Sequence, residues 1–454
     1  MQQNTFTGFQ NIGSFASAFY QLISREVLDG LWNKLGPKPR GHKPTLSGPE
    51  LVMGLVYHVL TAAGTLAAHV RKLTGISLSN SALSQRRQAA GVEPFDAIAR
   101  EVLRPLADPQ KHPQAFYKGL RLGAVDGSQF NVSNTPTILS RLDKAKSRRM
   151  QAAFAKVPMN WMMEVGTHAP VVAVVGLEQE SEWALAERLL ERIQAPWLIM
   201  MDRLYGIGAF VLKFEPVHQK TQSHFLARVK QNLKVTIQEV LEDGSALVSV
   251  VVKDPKNRHR KLGVVQMRQI VGRVMRPNGK WVTVRLWTSL LDARKYPAKE
   301  LLALYAQRWE IEIGTGELKA NVRGEHLLQS HTPETAAQEI LASLIGMAMI
   351  SQRRVEAGQI ADLPPLRMSF VITLQAVRSL WQVLRLGSDI LTNDQIAVLV
   401  ERTLREIAQQ AIPKRRARNC KRAVRQPVSS WPRLTTNAYE KGDFVYEVIP
   451  VNAV

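Results

Sequence analysis

Three acidic positions in this sequence stand where carboxylates could hold divalent metal ions. Asp126 interrupts an apolar run in Gly-Ala-Val-Asp-Gly-Ser, and Asp202 ends the apolar run Trp-Leu-Ile-Met-Met. A carboxylate within an apolar strand is costly to bury unless it is paired or bound to a metal. The carboxyl end of a central strand is also where α/β sheets place their ligands. Taken singly, each aspartate fits better the commoner role of an aspartate that starts a turn or caps a helix.

The third position comes from a segment with helical spacing that runs from Tyr305 to Lys319 and contains three glutamates. At about 100° per residue, Glu312 falls within about 60° of arc of three other polar side chains. These are Tyr305, Arg308 and Lys319. Glu310 and Glu317 fall on the opposite side, so we predict that they face solvent. An ordinary ion pair four residues apart explains Arg308 and Glu312, but not the tyrosine and the lysine on the same face.

Carboxylates contributed by separate elements suit phosphodiester chemistry with two metal ions. Mg²⁺ prefers oxygen ligands and retains water, so two or three carboxylates are enough to hold it. Two such ions stabilise the attacking and the leaving oxygens of an in-line displacement. The sequence therefore predicts that Asp126, Asp202 and Glu312 together hold two metal ions.

The elements that must carry these carboxylates form a mixed α/β pattern. Alternating or wholly apolar runs predict the strands Leu122–Val132, Trp161–Thr167, Val171–Leu177, Trp197–Met201 and Phe225–Val229. Helical spacing predicts helices at Glu182–Gln194 and Gly208–Phe214, and again after Pro297. Between them, strand-like runs occur at Val235–Val240, Leu247–Val252, Leu262–Val271 and Trp281–Thr288. The pattern indicates an α/β core that is interrupted by a β-rich insertion.

The N-terminal part of the chain has helical periodicity. The predicted helices are Ala16–Leu35, Gly48–Ala63, Leu66–Leu73 and Asn80–Ala90. The last two flank a short link containing Gly75, and the second of them carries Arg86 and Arg87. This arrangement is typical of a DNA-binding helix-turn-helix, with both arginines as DNA contacts. An ordinary helical hairpin with a solvated basic face explains the pattern equally well.

The spacing Tyr-x2-Arg-x3-Glu-x6-Lys, formed by Tyr305, Arg308, Glu312 and Lys319, matches the signature of the IS4 family of DDE transposases without gaps. Asp126 in Val-Asp-Gly-Ser resembles the first aspartate of that family. Asp202 in Met-Asp-Arg-Leu-Tyr-Gly resembles the second, although leucine stands where the family more often has Gly or Ala. The resemblance extends from about Leu122 to Ser330 and is weaker in the N-terminal helices.

The resemblance implies a fold, an activity and partners. It implies an RNase H-like catalytic core with a β-rich insertion before the glutamate helix, and Mg²⁺ or Mn²⁺ as the cofactor. It also implies double-stranded DNA as the partner, both transposon inverted-repeat ends and target, with a homodimer that brings two ends together. The expected function is cut-and-paste transposition, in which Arg308 and Lys319 hold DNA phosphates beside the carboxylates and Tyr305 packs against or hydrogen-bonds the DNA backbone. A catalytically inactive DNA-binding regulator and a stand-alone nuclease are the alternatives.

The resemblance and the element pattern together predict five segments. They are a helical N-terminal DNA-binding domain (residues 1–115), the first part of an RNase H-like core (116–230), a β-rich insertion (231–296), the second part of the core with the glutamate helix (297–350), and a helical C-terminal region with a basic tail (351–454).

The composition agrees with a nucleic-acid partner. The 60 Lys and Arg outnumber the 38 Asp and Glu, which leaves a formal net charge of +22. Such a charge repels itself, and binding to a polyanion relieves the repulsion while releasing counterions. Two basic segments are candidate contacts, although each also fits a solvated surface. They are the loop with Lys256, Arg258 and Arg260, and the tail from Pro413 to Arg425.

Other features bear on the cellular compartment. The single cysteine, Cys420, excludes a disulfide within the chain and a cysteine-rich zinc site. The N-terminus lacks the basic start and apolar run of a signal peptide. The longest apolar stretches, Leu51–Ala63 and Ile340–Ile350, are too short to cross a bilayer. We therefore expect a cytoplasmic, nucleoid-associated protein with no membrane partner.

Overall fold

The computed structural model describes residues 14–38, 41, 44–61, 63–146, 151–254, 257, 259–275, 279–324, 326–413 and 445–449. The helices are α1 (Phe15–Tyr20), α2 (Arg25–Leu35), α3 (Gly48–Leu60), α4 (Leu66–Thr74), α5 (Asn80–Ala90), α6 (Glu93–Val102), α7 (Pro136–Leu139), α8 (Glu182–Leu190), α9 (Gly208–Thr221), α10 (Ala298–Tyr305), α11 (Glu310–Gly316), α12 (Pro333–Ala361), α13 (Phe370–Leu386) and α14 (Asn393–Gln409). The strands are β1 (Phe116–Tyr117), β2 (Leu120–Val132), β3 (Lys144–Lys146), β4 (Gln151–Glu164), β5 (Pro170–Val175), β6 (Trp197–Met201), β7 (His224–Arg228), β8 (Thr236–Val240), β9 (Ala246–Lys253), β10 (Lys261–Met275), β11 (Trp281–Thr288) and β12 (Val445–Val448).

The described residues divide into two compact units. The first unit comprises residues up to Gln194 together with Trp309–Ile412. The second unit comprises Ala195–Arg308 together with β12. The sequence predicts five segments, whereas the described residues divide into two units. The first unit combines the N-terminal and C-terminal helices with strands of the predicted core.

The helices of the first unit begin where the sequence places capping residues. The side chains of Ser24, Ser47, Thr65 and Ser79 accept hydrogen bonds from backbone amides in the first turns of α2 to α5. Such caps satisfy amides that have no partner within the helix. The cap at Ser24 also divides the predicted run Ala16–Leu35 into α1 and α2. The long helix α12 packs against α3, α6, α13 and α14, so it lies at the centre of the helical core.

The sheet of the first unit is antiparallel. Strand β4 pairs with β2 along one edge and with β3 and β5 along the other. The predicted strand Trp161–Thr167 is therefore the end of a longer strand, which stops at Glu164. The turn to β5 contains His168, whose backbone has a left-handed φ of 58°. Asp126 lies directly opposite Trp161 in the β2–β4 register, so both side chains lie on the same face of the sheet.

The sheet of the second unit begins with two parallel strands, β6 and β7, joined by α9. Strand β11 pairs antiparallel with β7, and β10, β9 and β8 follow in order. Strand β12 adds to β10 at Gly272–Met275. The β-rich segment that the sequence predicts thus forms strands as expected, and it extends the sheet that contains β6 and β7. Among the described residues, no helix is long and apolar enough to span a membrane.

Candidate active site

Asp126 lies in the middle of β2 and is half-buried, while Ala124 and Val125 before it are fully buried. The next residue is Gly127, and a Cβ atom there would collide with the side chain of Glu182 at the start of α8. The space beside Gly127 is therefore occupied by the Glu182 side chain, and the absence of a side chain at Gly127 lets α8 pack close to the sheet.

Glu312 lies in α11, which packs on β2. The buried face of this helix includes Ile311 and Gly314, and the helical segment continues inward at Leu318. A Cβ atom at Gly314 would collide with the sulfur of Met163 on β4. The close approach of the helix to the sheet therefore depends on a glycine, and it places the half-buried Glu312 on an element in contact with the strand of Asp126.

Lys319 reaches the same strand. Its Nζ donates a hydrogen bond to the backbone oxygen of Gln129 at 2.9 Å and lies 5.2 Å from the ring centroid of Phe130. Burial lowers the pKa of Lys319, the nearby Lys156 lowers it further, and the charge of Asp126 opposes both. The first unit thus brings the ammonium of Lys319 into electrostatic range of the Asp126 carboxylate.

Asp202 follows β6 in the second unit and is half-buried. Its Oδ1 accepts a hydrogen bond from the backbone amide of Leu204 at 2.7 Å, which closes a tight turn. Leu204 itself is exposed, and Tyr205 is fully buried. The leucine that departs from the family pattern is therefore accommodated without loss of the aspartate-capped turn.

Tyr305, at the end of α10, is hydrogen-bonded to β6, the strand that leads to Asp202. Its hydroxyl donates a hydrogen bond to the backbone oxygen of Met201 at 2.9 Å. Burial raises the pKa of Tyr305 to about 12; Arg308 and Arg228 lower the pKa, and Asp202 raises it. The phenol is therefore protonated at neutral pH, and its proton is donated within the protein. The sequence predicted a DNA contact for this hydroxyl; the structure gives it a positioning contact.

The prediction that Glu310 and Glu317 face solvent was wrong. Glu317 is only 6% exposed, and both carboxylates accept hydrogen bonds from the buried His168. The segment is also not a uniform α-helix, because a 3-10 turn at Ala306–Trp309 precedes α11 and a π-helical stretch at Glu317–Val322 follows it. A constant 100° per residue therefore does not hold from Tyr305 to Lys319.

The predicted DNA contact at Arg87 is also not supported. Arg87 is 7% exposed, and its guanidinium donates to Gln338 Oε1, Ser330 Oγ and the backbone oxygen of Thr335. Buried cations require such partners, and this one joins α5 to α12. Arg86 is half-buried and donates to the backbone oxygen of Leu46.

The other predicted DNA contacts lie in the basic loop and the basic tail. Arg260 is exposed, with a side chain 69% accessible and 3.8 Å from the carboxylate of Asp254. Lys256, Arg258 and the tail cations from Lys414 to Arg425 lie outside the described residues. Arg308 is half-buried in the second unit.

The donor chemistry of the three candidate carboxylates fits a hard divalent ion. Asp126, Asp202 and Glu312 are each half-buried and offer carboxylate oxygens, the ligands that such an ion prefers. Within the part of the chain that the structure describes, no group of three or more acidic, histidine or cysteine side chains is gathered closely enough to hold a metal. Mg²⁺ is commonly held by one or two carboxylates together with substrate phosphates and water, so a preformed cluster of three is not required.

Comparisons with known protein families and sequences give transposases. The family model described as the transposase DDE domain matches residues 117–349. The transposase InsG for insertion sequence element IS4 of Escherichia coli (strain K12) is 26% identical over 284 residues, 62% of this chain and 62% of InsG. The putative transposase InsZ of the same organism is 27% identical over 129 residues, 28% of this chain and 43% of InsZ. The match thus spans less than two thirds of either relative.

Among solved structures, a piggyBac transposase synaptic complex with hairpin DNA aligns with a TM-score of 0.39 and 10% identity. The alignment covers 91% of this chain and 88% of that one. A TM-score at this level supports no inference about this chain.

Proposed function

Because this chain belongs to the DDE transposase family, we propose that it is a DNA transposase that cuts and rejoins DNA at the ends of a mobile element. The observation that carries the proposal is the family match across residues 117–349, which includes Asp126, Asp202 and Glu312. The packing of α11 against β2 supports it, because Glu312 and Asp126 are carried by two elements in contact.

The three carboxylates are the proposed ligands of two divalent metal ions, Mg²⁺ or Mn²⁺. When bound, such ions activate water or a 3′ hydroxyl and stabilise the leaving oxygen of a phosphodiester. The carboxylates contribute hard oxygen ligands from a strand, a strand end and a helix. Rigid elements of this kind hold ligands more accurately than mobile loops do.

Three further side chains have proposed roles beside the carboxylates. Lys319 contributes a cation that neutralises phosphate charge in the electrostatic range of Asp126. Arg308 contributes a guanidinium, which suits bidentate contact with a phosphate. Tyr305 positions the end of β6 through its hydrogen bond to the backbone oxygen of Met201.

The proposed core is RNase H-like. The antiparallel strands β2, β4 and β5 of the first unit and the parallel pair β6 and β7 of the second support this assignment. The proposed partners are inverted-repeat ends and target DNA. The proposed assembly is a homodimer in which each copy acts on one of two ends.

The test uses the DNA that flanks the gene, because an insertion element carries its own ends there. The full-length protein is incubated with linear DNA bearing both flanks, a target plasmid and Mg²⁺. Excised and joined products support the proposal. Cleavage without joining indicates a nuclease, and DNA retention without cleavage indicates a regulator; either result contradicts a transposase.

Variants test the assignment of the carboxylates. Asp126→Ala, Asp202→Ala and Glu312→Ala should each abolish cleavage while DNA retention in a gel-shift assay persists, because metal ligands act in catalysis rather than in electrostatic binding. Arg405→Ala is a matched surface control, since its guanidinium is exposed and pairs with Glu401 on the same helix. If any of the three alanine variants cleaves like the unmodified protein, that residue is not a ligand.

A further inference from the structure

Three charged side chains lie close to the buried His168 in the first unit. His168 is fully buried, with Nε2 at 2.8 Å from Glu310 Oε2 and Nδ1 at 2.8 Å from Glu317 Oε2. The Arg354 Nη1 lies 3.3 Å from both carboxylate oxygens of Glu317. We call these four residues the His168 cluster. The cluster links three parts of the first unit: the turn between β4 and β5, helix α12, and the segment with Glu310, Glu312 and Glu317, which we call the glutamate segment.

The hydrogen bonds determine the charge state of the cluster. A neutral imidazole has one N–H, whereas an imidazolium donates from both ring nitrogens. Because both nitrogens of His168 face carboxylates, the imidazolium satisfies both contacts. Burial alone would lower the pKa of His168, but the charge of Glu317 and the hydrogen bonds to Glu310 and Glu317 raise it overall. The two cations, His168 and Arg354, then balance the carboxylates of Glu310 and Glu317.

The backbone of the turn holds His168 in place. Its amide donates to the backbone oxygen of Glu164, and its left-handed φ of 58° is uncommon outside glycine. Ser351 of α12 lies within 3.4 Å of the His168 backbone oxygen. The imidazolium is therefore presented from a fixed position to the two carboxylates.

The cluster contacts the glutamate segment on both sides of Glu312. Glu310 begins α11, and Glu317 begins the π-helical stretch that follows it. From these contacts we infer that His168 is a positioning residue that fixes the orientation of α11, and with it the carboxylate of Glu312, for metal binding. This inference rests on the proposed function of Glu312 as a metal ligand.

Folding alone does not require a charged cluster at this place. Buried ion pairs can often be replaced by apolar side chains of similar volume without loss of stability. Charged hydrogen bonds additionally fix the orientation of the groups that they join, because each contact sets an angle as well as a distance. The Glu310 carboxylate does not need His168 as a hydrogen-bond partner, since its side chain is 24% exposed and could turn to water. Its contact with His168 instead orients the turn that carries Glu312.

The experiment measures metal affinity and cleavage separately. Mn²⁺ binding to the full-length protein is titrated by electron paramagnetic resonance, and Mg²⁺ dependence is measured by cleavage of flank DNA. His168→Gln and Glu310→Leu should each weaken Mn²⁺ binding about tenfold or more, the range seen when partners that orient metal ligands are removed. Cleavage should then need correspondingly more Mg²⁺.

Glu310→Gln separates the effect of the hydrogen bond to His168 from the effect of the negative charge of the Glu310 carboxylate. Its amide oxygen can still accept a hydrogen bond from His168 Nε2, so its Mn²⁺ affinity should stay close to that of the unmodified protein. If Gln and Leu at this position weaken binding equally, the positioning role is wrong. Because the Glu310 side chain is partly exposed, these two variants test the inference even if His168→Gln does not fold.

Arg192→Met is the control, because it removes a hydrogen-bonded cation elsewhere in the first unit. Arg192 contacts Asp96 at 2.8 Å and does not belong to the His168 cluster. It should lower thermal stability without changing the Mn²⁺ affinity. If His168→Gln and Glu310→Leu behave like this control, His168 has only a structural role.

One further variant separates this inference from the proposed function. Glu312→Gln should lose Mn²⁺ binding that the unmodified protein shows. If Glu312→Gln binds Mn²⁺ normally, the assignment of Glu312 as a ligand fails, and the inference fails with it. If Glu312→Gln loses binding while His168→Gln and Glu310→Leu do not, only the inference fails.

Discussion

Glu310, Glu312 and Glu317 lie close together in the chain, yet each carboxylate has a different environment. Glu317 is buried between His168 and Arg354, and Glu310 contacts the other side of His168. Glu312 is half-buried on the helix that packs on β2. The contacts with the buried His168 thus mark Glu310 and Glu317 as structural carboxylates.

The raised pKa of His168 predicts a pH dependence of stability. The ordinary pKa is 6.5, and the folded value lies above it. Protonation of His168 therefore stabilises the fold fully below about pH 6.5, and this contribution is lost as the pH rises through the folded pKa. The groups that face the imidazole are Glu310, Glu317 and the more distant Arg354.

We expect the urea midpoint of the unmodified protein to fall between about pH 6 and pH 9 more steeply than that of His168→Gln. Unfolding is followed by tryptophan fluorescence in both proteins across that range. Parallel curves for the two proteins would show that His168 titrates alike in the folded and unfolded states, and would contradict the protonated cluster.

At the scale of elements, the sequence predicts most helices and strands within a few residues of where they lie. Strand β6 and strand β11 have the predicted bounds, and helix α5 begins and ends as expected. These elements have strong local signals, namely an apolar run, alternation between turns, and a serine cap. Strand β4 is longer than predicted because its first half is alanine-rich and partly exposed, which gives no strong strand signal, and pairing with β2 and β3 holds it extended.

The packing of α11 gives a test at this scale. A side chain at Gly314 would meet Met163, so Gly314→Ala should push the helix from the sheet and destabilise the protein by about 1–3 kcal/mol, as overpacking does. Cleavage should also fall, because Glu312 moves with the helix. Stability is measured by urea unfolding and activity by cleavage of flank DNA.

Gly316 is the matched control for Gly314. It lies in the same helical segment with φ −64°, and a Cβ atom there would meet nothing within 4 Å. Gly316→Ala should therefore stabilise the protein by about 0.4–1 kcal/mol, because alanine restricts the unfolded chain. A loss of stability in both variants would mean that helix geometry, and not contact with Met163, limits this segment.

For the whole molecule, the positive charge is the dominant electrostatic feature. Each phosphate that a cation neutralises contributes about 0.9 to the slope of log affinity against log salt. The basic tail carries seven cations between Pro413 and Arg425. They are Lys414, Arg415, Arg416, Arg418, Lys421, Arg422 and Arg425.

If the tail contacts DNA, replacing its seven cations with glutamine should lower the salt slope by several units, up to about 6. The slope is measured by fluorescence anisotropy with labelled flank DNA over a series of KCl concentrations. A variant with the same tail residues in shuffled order should retain the slope. An unchanged slope in the glutamine variant would show that the tail is solvated and does not bind phosphate.

The resemblance to the IS4 family of DDE transposases is confirmed, and it depended on few residues. The spacing of Tyr305, Arg308, Glu312 and Lys319 carried it, together with two aspartates after apolar residues. Such a signature is visible in sequence because each residue type and interval is constrained by the chemistry. Whether Asp126, Asp202 and Glu312 act as ligands stays a prediction.

The sequence by itself determined the order of the elements, the candidate carboxylates and the family, since these depend on signals within a few residues or on a spaced motif. Only the tertiary structure decided which charged residues are structural. Glu310 and Glu317 bind His168 across 142 and 149 residues, and Arg87 binds Gln338 across 251. Helical periodicity assigns such side chains to a face, but it contains no information about a partner that folding brings from a distant part of the chain.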